Sequence, residues 1–453
     1  MDYKEKIPTE NEGLSYIQTK RTHYIPVKIK FVLSHLFAIL WTVISVILSI
    51  PWVKDLSEIV TLPLALFIIT GIAYIPGYMN AFLVVSLIFD RQPSFKNENP
   101  SKDITILIAA RNEAENIGNT LVYIAKQDYS GHIKVFVIDN GSSDETSSVA
   151  LSYGENLNLD VTVINEKKPG KFNALNTALK YVTTDLVITL DADTLLHPSA
   201  VRFLIARIES APKDVCAVAG SVLVRNSREN IMTKIQEWDY FLGIASIKRL
   251  QGLYQGTLVA QGAFSVYKTD CVRVIGGWPD AIGEDIVLTW NLLKHNWRTY
   301  FEPLAVAFTN VPNTLRIFAR QRSRWARGMI EALKTTKPWQ QPSTYTKYLT
   351  GINLLIPYLD LAYTFFWLPG LILAYFGFFW IVGPATLLVL PLTFISYSVL
   401  YTYQKYVFRK LNLKVRKNVA GFLLFMLCYQ MIMSPVSVWG YTQEVFRLKR
   451  VWK

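Results

Sequence analysis

Residues 187–197 read VITLDADTLLH, an apolar run that ends on two carboxylates, Asp191 and Asp193, with Ala192 between them. In an extended strand end, residues i and i+2 point the same way, so both acids can face one site. Two hard oxygen ligands beside the oxygens of a diphosphate suit Mg2+ or Mn2+, which would neutralise charge building on a leaving group. Taken alone the pair is as well explained by a turn, because Asp is common at strand ends and helix N-caps.

Further polar clusters follow other apolar runs. ITILIAA ends in ARNEAEN (residues 110–116), VFVID continues into the GSSDET that completes IDNGSSDET (138–146), and VTVIN leads into EKKPGKFNALNTAL (166–179). Gly170 there allows close backbone approach, and Lys171 opens a helix whose N-terminus favours anions, so a phosphate-bearing ligand would fit. Singly, each is also what a capped strand-to-helix turn looks like. Later in the chain, GED at 283–285 follows the glycine-rich GGWPD. An Asp near its ordinary pKa is ionised at neutral pH, as a general base must be, which makes Asp285 a candidate. In QRSRW, Gln321, Arg324 and Trp325 are spaced i, i+3, i+4 and would share one helix face. Arg324 could pair with a diphosphate while Trp325 stacks on the apolar face of a sugar. Arg316, Arg320, Arg322 and Arg327 around them equally suit an interfacial helix against lipid headgroups.

The elements that must position these residues can be read from periodicity. Apolar runs at 104–110, 135–139, 161–165 and 186–191 look like buried strands, with helical stretches such as 112–126 and 171–181 between them. Alternating strands and helices predict a parallel sheet covered on both faces, with ligands beyond the carboxyl ends of its strands. The acids of DAD fall there.

Membrane helices are expected to flank this segment. The chain has 453 residues, 51% of them hydrophobic, and a formal charge of +13. Residues 31–50 and 59–89 carry no Lys, Arg, Asp or Glu, and each can cross a bilayer, which takes about 20 apolar residues. A 30-residue polar stretch precedes the first run, which predicts a retained helix rather than a cleaved signal. Residues 348–404 contain one charge, Asp360, and leave room for two spans; 419–443 makes a third. Lys20, Arg21, Lys28 and Lys30, and the basic cluster from Lys405 to Lys417, favour the cytoplasm by the positive-inside rule. Three C-terminal spans would then strand Arg447, Lys449, Arg450 and Lys453 on the far side, unless the last run bends at Pro435 or an interfacial helix has been counted as a span. Three scattered cysteines, Cys216, Cys271 and Cys428, give neither a disulfide framework nor a metal spacing. The resulting division is 1–30 polar segment, 31–91 two transmembrane helices, 92–347 soluble domain with interfacial helices towards its end, and 348–453 membrane block of about three spans, with no further soluble domain expected after it.

ARNE, IDNGSSDET, GKFNALN, LDADT, GEDIVLTW and QRSRW occur in the order found in family 2 glycosyltransferases, and the pattern covers nearly all of 104–328. With apolar helices on both sides, the chain resembles the processive polysaccharide synthases that make hyaluronan, chitin and cellulose, and most of all the poly-N-acetylglucosamine synthases. The resemblance implies an α/β GT-A fold with a Rossmann-like mixed sheet, set in the cytosol between two transmembrane blocks. It implies an inverting transfer from a UDP-sugar, UDP-N-acetylglucosamine by analogy, to a growing polysaccharide that is then exported. By residue, it implies Asp285 as general base with Glu284 beside the acceptor, and Asp191 and Asp193 on Mg2+ or Mn2+. The donor would lie against Ala110, Asn112, Glu113, Asp139 on uracil, Lys171 and Asp191, and the acceptor and diphosphate against Gln321, Arg324 and Trp325. Asn140 stands where relatives often carry Asp, and Gly283 where many have Thr. The expected surroundings are a cell or inner membrane, its lipid and a small accessory membrane subunit, with no nucleic acid. Two rivals are an enzyme placing a single sugar on a lipid acceptor, and a non-catalytic protein that only binds nucleotide sugar.

Overall fold

The computed structural model describes residues 25–90 and 92–448. Lys20, Arg21, Lys449, Arg450 and Lys453 lie outside the described residues, as does most of the 1–30 segment.

Among the described residues eight strands build one sheet: β1 Ile104–Ala110, β2 Ile133–Asp139, β3 Asp160–Asn165, β4 Leu186–Leu190, β5 Leu195–Leu196, β6 Val215–Val224, β7 Phe264–Lys268 and β8 Arg298–Thr309. Their order is β3-β2-β1-β4-β7-β6-β8-β5. The four strands legible as apolar runs form the parallel half. β4 is buried along its whole length, which is why it reads as an unbroken apolar stretch, and β6 is buried throughout as well. The sheet is mixed, as the family resemblance implied: the parallel pattern read from alternating strands and helices holds for β1 to β4, and β7 runs antiparallel between β4 and β6. The reason is local. The chain re-enters the sheet at the end where β4 stops, and Asp191 N donates to Ala263 O there at 3.3 Å. The chain also winds outward from β1 through β2 to β3, then returns to the other side of β1 for β4. That reversal opens a crevice at the carboxyl ends of β1 and β4, where open α/β sheets hold ligands.

Both faces are covered. Ile106, Ile117, Leu121, Ile188 and Val218 pack on one side; Leu107, Leu175, Val187, Trp278 and Leu288 pack on the other.

Four helices among the described residues are long and apolar enough to cross a membrane: Val27–Leu48, Leu62–Ile88, Thr344–Tyr375 and Val419–Val445. The 22-residue helix Val389–Lys410 lies between the last two. Asp90 at the end of the second is tied to the soluble segment by Arg249, Nε to Oδ2 at 2.9 Å. The last helix touches the soluble segment at both ends: Asn418 donates to Lys234 O at 2.8 Å, and Glu444 accepts from Lys334 at 2.9 Å. A helix of 27 residues is about 40 Å long, so it lies along that segment rather than pointing away from it.

Candidate active site

The carboxyl ends of the strands supply the first acids. Asp191 and Asp193 follow β4, and Lys171, first residue of the helix Lys171–Leu179, reaches across to them. Its Nζ donates to Asp191 Oδ1 at 2.5 Å and lies 3.8 Å from Glu284 Oε1. One ammonium thus joins the DAD turn to the GED turn, two segments more than 90 residues apart in the chain. Burial alone would lower the Lys171 pKa; Asp191 and Glu284, with Asp285 further off, hold it above its ordinary value. Gly262 makes room for this ammonium, since a Cβ there would stand 2.7 Å from Lys171 Nζ. The same residue's N–H donates to Asp285 Oδ2 at 3.4 Å.

Each carboxylate has its own environment. Burial, then the charges of Asp191 and Glu113, push Asp193 up to about 6, while Thr309 donates to its Oδ1 at 3.2 Å and pulls the other way. Burial pushes Glu284 up to about 7 against the attraction of Lys171 and, more weakly, of Arg324. Glu113 is raised by burial, with Asp191 adding to the effect. Glu113, Lys171, Asp191, Asp193, Glu284 and Asp285 therefore share one electrostatic neighbourhood. Among the described residues no group of three or more His, Cys, Asp or Glu side chains stands together as a metal cage. One or two carboxylates with substrate phosphates completing the shell is the usual arrangement for Mg2+, and Asp191 with Asp193 fits that donor set.

The ARNE and IDNGSSDET turns lock together beside this centre. Ala110 closes β1, and its carbonyl accepts from Asn140 N at 2.9 Å. Asn112 has φ 57° and accepts from Ser143 N at 2.8 Å, while its own N–H donates to Ser142 Oγ at 3.0 Å. Asn tolerates the left-handed region better than most residues. Asp139 accepts from Ser142 N at 2.8 Å and Ser147 Oγ at 2.5 Å. Burial opposes ionisation, but these donors leave its pKa below the ordinary value. The Asn140 side chain is occupied differently: it donates to Glu166 O and Lys168 O at 3.0 and 2.7 Å and accepts from Gly170 N at 2.7 Å. It clamps the loop before Lys171.

QRSRW does lie on a helix, Leu315–Thr335. Arg324 and Trp325 are exposed and Gln321 is half-buried, its amide oxygen buried without a hydrogen-bond partner among the described residues. Arg322 and Arg327 do not face lipid headgroups: both are buried, paired with Asp239 at 2.7 Å and Glu444 at 3.4 Å. Gly283 and Gly328 bring this helix onto the GED turn, because each would place a Cβ within 2.8 Å of the other's Cα. Glu331 then accepts from Ile282 N at 2.7 Å and Gly283 N at 3.2 Å. A Thr at 283 would not fit this packing, which accounts for the glycine.

Residues 100–328 match the model of the glycosyltransferase-like family 2. The chain belongs to that family. The family 2 chain is 33% identical over 306 residues to a poly-beta-1,6-N-acetyl-D-glucosamine synthase of Staphylococcus aureus, covering 64% of this chain and 73% of the relative. A synthase of the same name from Staphylococcus epidermidis is 32% identical over 268 residues, 59% and 64% of the two chains. Among solved structures, a mannosyltransferase from Pyrobaculum calidifontis in complex with GDP-Man and Mn2+ superposes with a TM-score of 0.58 at 19% identity, covering 84% of this chain and 99% of that one. The fold of this glycosyltransferase is accordingly GT-A, flanked by apolar helices at both ends.

Sequence reasoning missed three contributors to the glycosyltransferase site. Gly262 lies in AQGAF, where nothing marks it; Glu331 sits in an ordinary amphipathic helix. Lys248 is 8% exposed, donates to Val259 O at 2.8 Å, and is lowered to about 8 by burial against the opposing pull of Asp285. A lone Lys in IKRLQG carries no motif.

Proposed function

We propose that this family 2 glycosyltransferase polymerises a sugar from a UDP-sugar, UDP-N-acetylglucosamine first among candidates, and passes the polysaccharide across a cell membrane with its soluble domain in the cytoplasm. The observation that supports this reading most is the Lys171 ammonium between Asp191 and Glu284, two acids that the reading assigns to the donor and acceptor sides. The named activity of the staphylococcal relatives supports the polymer and the sugar.

In the reaction, Asp285 takes the proton of the acceptor hydroxyl. The freed oxygen pair attacks the anomeric carbon from the face opposite UDP, the bond from that carbon to the phosphate oxygen breaks, and configuration inverts. Asp139 and the ARNE turn hold the nucleotide, Lys171 and Arg324 meet the diphosphate charge, and Trp325 stacks on the acceptor. Asp191 and Asp193 would hold Mg2+ or Mn2+, which supplies charge neutralisation for the departing diphosphate when bound. The membrane block would comprise four crossings, Val27–Leu48, Leu62–Ile88, Thr344–Tyr375 and Val389–Lys410, with Val419–Val445 lying against the domain.

The test supplies purified full-length protein with separate radiolabelled UDP-sugars and Mg2+. High-mass product from UDP-N-acetylglucosamine supports the reading, incorporation only from another donor refutes the sugar, and a product of one sugar on lipid refutes polymerisation. Asp285→Asn should abolish turnover while UDP still binds; retained turnover would remove Asp285 from the base role.

A further inference from the structure

Trp325 has a fixed neighbour on one face. The guanidinium carbon of Arg322 lies 3.9 Å from the centre of its ring, yet the residue remains 42% exposed. Arg322 is 2% exposed and held from several sides. Its Nη2 donates to Asp239 Oδ2 at 2.7 Å, and its guanidinium also packs over Phe318 and Tyr240 at 5.2 and 5.5 Å. The Asp239 oxygen accepts a second bond, 2.6 Å from the hydroxyl of Tyr429 on the last apolar helix, and the Tyr429 ring meets Phe318 edge-on at 6.1 Å. Asp239 opens the π-helical stretch Asp239–Ile244, a geometry frequent at functional sites. The same last helix presses on QRSRW directly: a Cβ at Gly440 would stand 2.5 Å from Ser323 O and 2.8 Å from Ala326 Cβ.

We propose that Tyr429, Asp239 and Arg322 are positioning residues for the acceptor sugar, a relay that locks the plane of Trp325 to the last apolar helix and leaves only its outer face for a pyranose. The inference rests on the reading of Trp325 as the acceptor platform. A guanidinium over an aromatic face is attractive, and an indole held in one orientation does not have to be ordered again when each new acceptor end arrives. The relay touches neither the ARNE turn nor Lys171, so its effect is expected on the acceptor rather than on the nucleotide. Because the last helix also runs alongside Thr344–Tyr375, where Asp360 accepts from Ser434 at 2.8 Å and Tyr441 at 2.6 Å, the platform is referenced to the helices beside which a product would leave.

Two variants of the full chain in lipid nanodiscs test this. Tyr429→Phe keeps the ring and removes its hydroxyl; Arg322→Lys keeps the charge and removes the planar stack. With UDP-N-acetylglucosamine, Mg2+ and a short β-linked N-acetylglucosamine oligosaccharide, KM is measured for acceptor and donor separately, together with UDP released without transfer. We expect the acceptor KM to rise about three- to tenfold in Tyr429→Phe, the net worth of one ordinary hydrogen bond, and further in Arg322→Lys. Donor KM and untransferred UDP release should stay at wild-type values. An unchanged acceptor KM in both variants, with an active wild type, overturns the relay alone. Acceptor and donor KM rising together, as in a loosened fold, overturns it as well. A wild type inert with every UDP-sugar overturns the reading of Trp325 and the relay with it.

Discussion

Gly328→Ala is a small substitution with a large expected cost. A Cβ on Gly328 would stand 2.8 Å from Gly283 Cα and 3.2 Å from Gly283 N. Carbon atoms in contact sit at about 3.5–4.0 Å, so one surface must retreat by roughly 1 Å. What it meets is backbone, which has no rotamer to give. The turn is also tied to the same helix by Glu331 through Ile282 N and Gly283 N, so it cannot simply lift away. Overpacking of this kind costs about 1–3 kcal/mol. The catalytic loss should exceed the stability loss, because Glu284 and Asp285 follow directly on Gly283 and a displacement of about 1 Å can cost on the order of 100-fold in rate. We expect kcat to fall by about 10- to 100-fold and the melting temperature by a few degrees. UDP affinity should hold, since the ARNE and IDNGSSDET turns follow β1 and β2 and do not touch Gly328. Initial rates of UDP release, calorimetric titration of UDP and thermal unfolding measure the three. Gly351→Ala is the control: no atom lies within 4 Å of its Cβ position, and Ala in a helix is favoured over Gly by about 0.5–1 kcal/mol. A Gly328→Ala protein with wild-type kcat would refute the argument that this glycine pair sets the position of the base.

Glu331→Gln should weaken the two charge-assisted bonds that hold the GED turn, lowering stability by about 1–2 kcal/mol and kcat severalfold with UDP affinity intact; an unchanged melting curve would show that the cap is idle. Asp139→Asn leaves one acceptor oxygen for the two donors Ser142 N and Ser147 Oγ, so donor KM should rise about tenfold while saturated kcat stays near wild type. A donor KM within twofold of wild type would detach Asp139 from nucleotide binding.

Much of the fold was legible because strong local signals coincide with it. β1 to β4 are apolar runs of strand length, and the helices expected over 112–126 and 171–181 are found at Ala114–Ala125 and Lys171–Leu179. The antiparallel β7 was not legible. FSVYK has strand propensity in either direction, and its sense depends on where the chain re-enters the sheet after the helices of residues 231–253. Similarly, Val419–Val445 looks like a span by composition, and its contacts with Lys234 through Asn418 and with Lys334 through Glu444 could not be read from that composition.

The acids divide in the same way. Residue type and i, i+2 spacing were enough to nominate Asp191 and Asp193, and motif order was enough to nominate Lys171, Asp285, Arg324 and Trp325, since the required chemistry restricts which side chains can serve. Which groups share a charge environment is a question of distances over many tens of residues, and sequence holds no distances. The Lys171 bridge, the room made by Gly262, the contact of Gly283 with Gly328 and the stacking of Arg322 on Trp325 all arise where segments remote in the chain are packed together. Chemistry is carried by side chains and can be read one residue at a time; positioning is carried by packing, and exists only once the chain has folded.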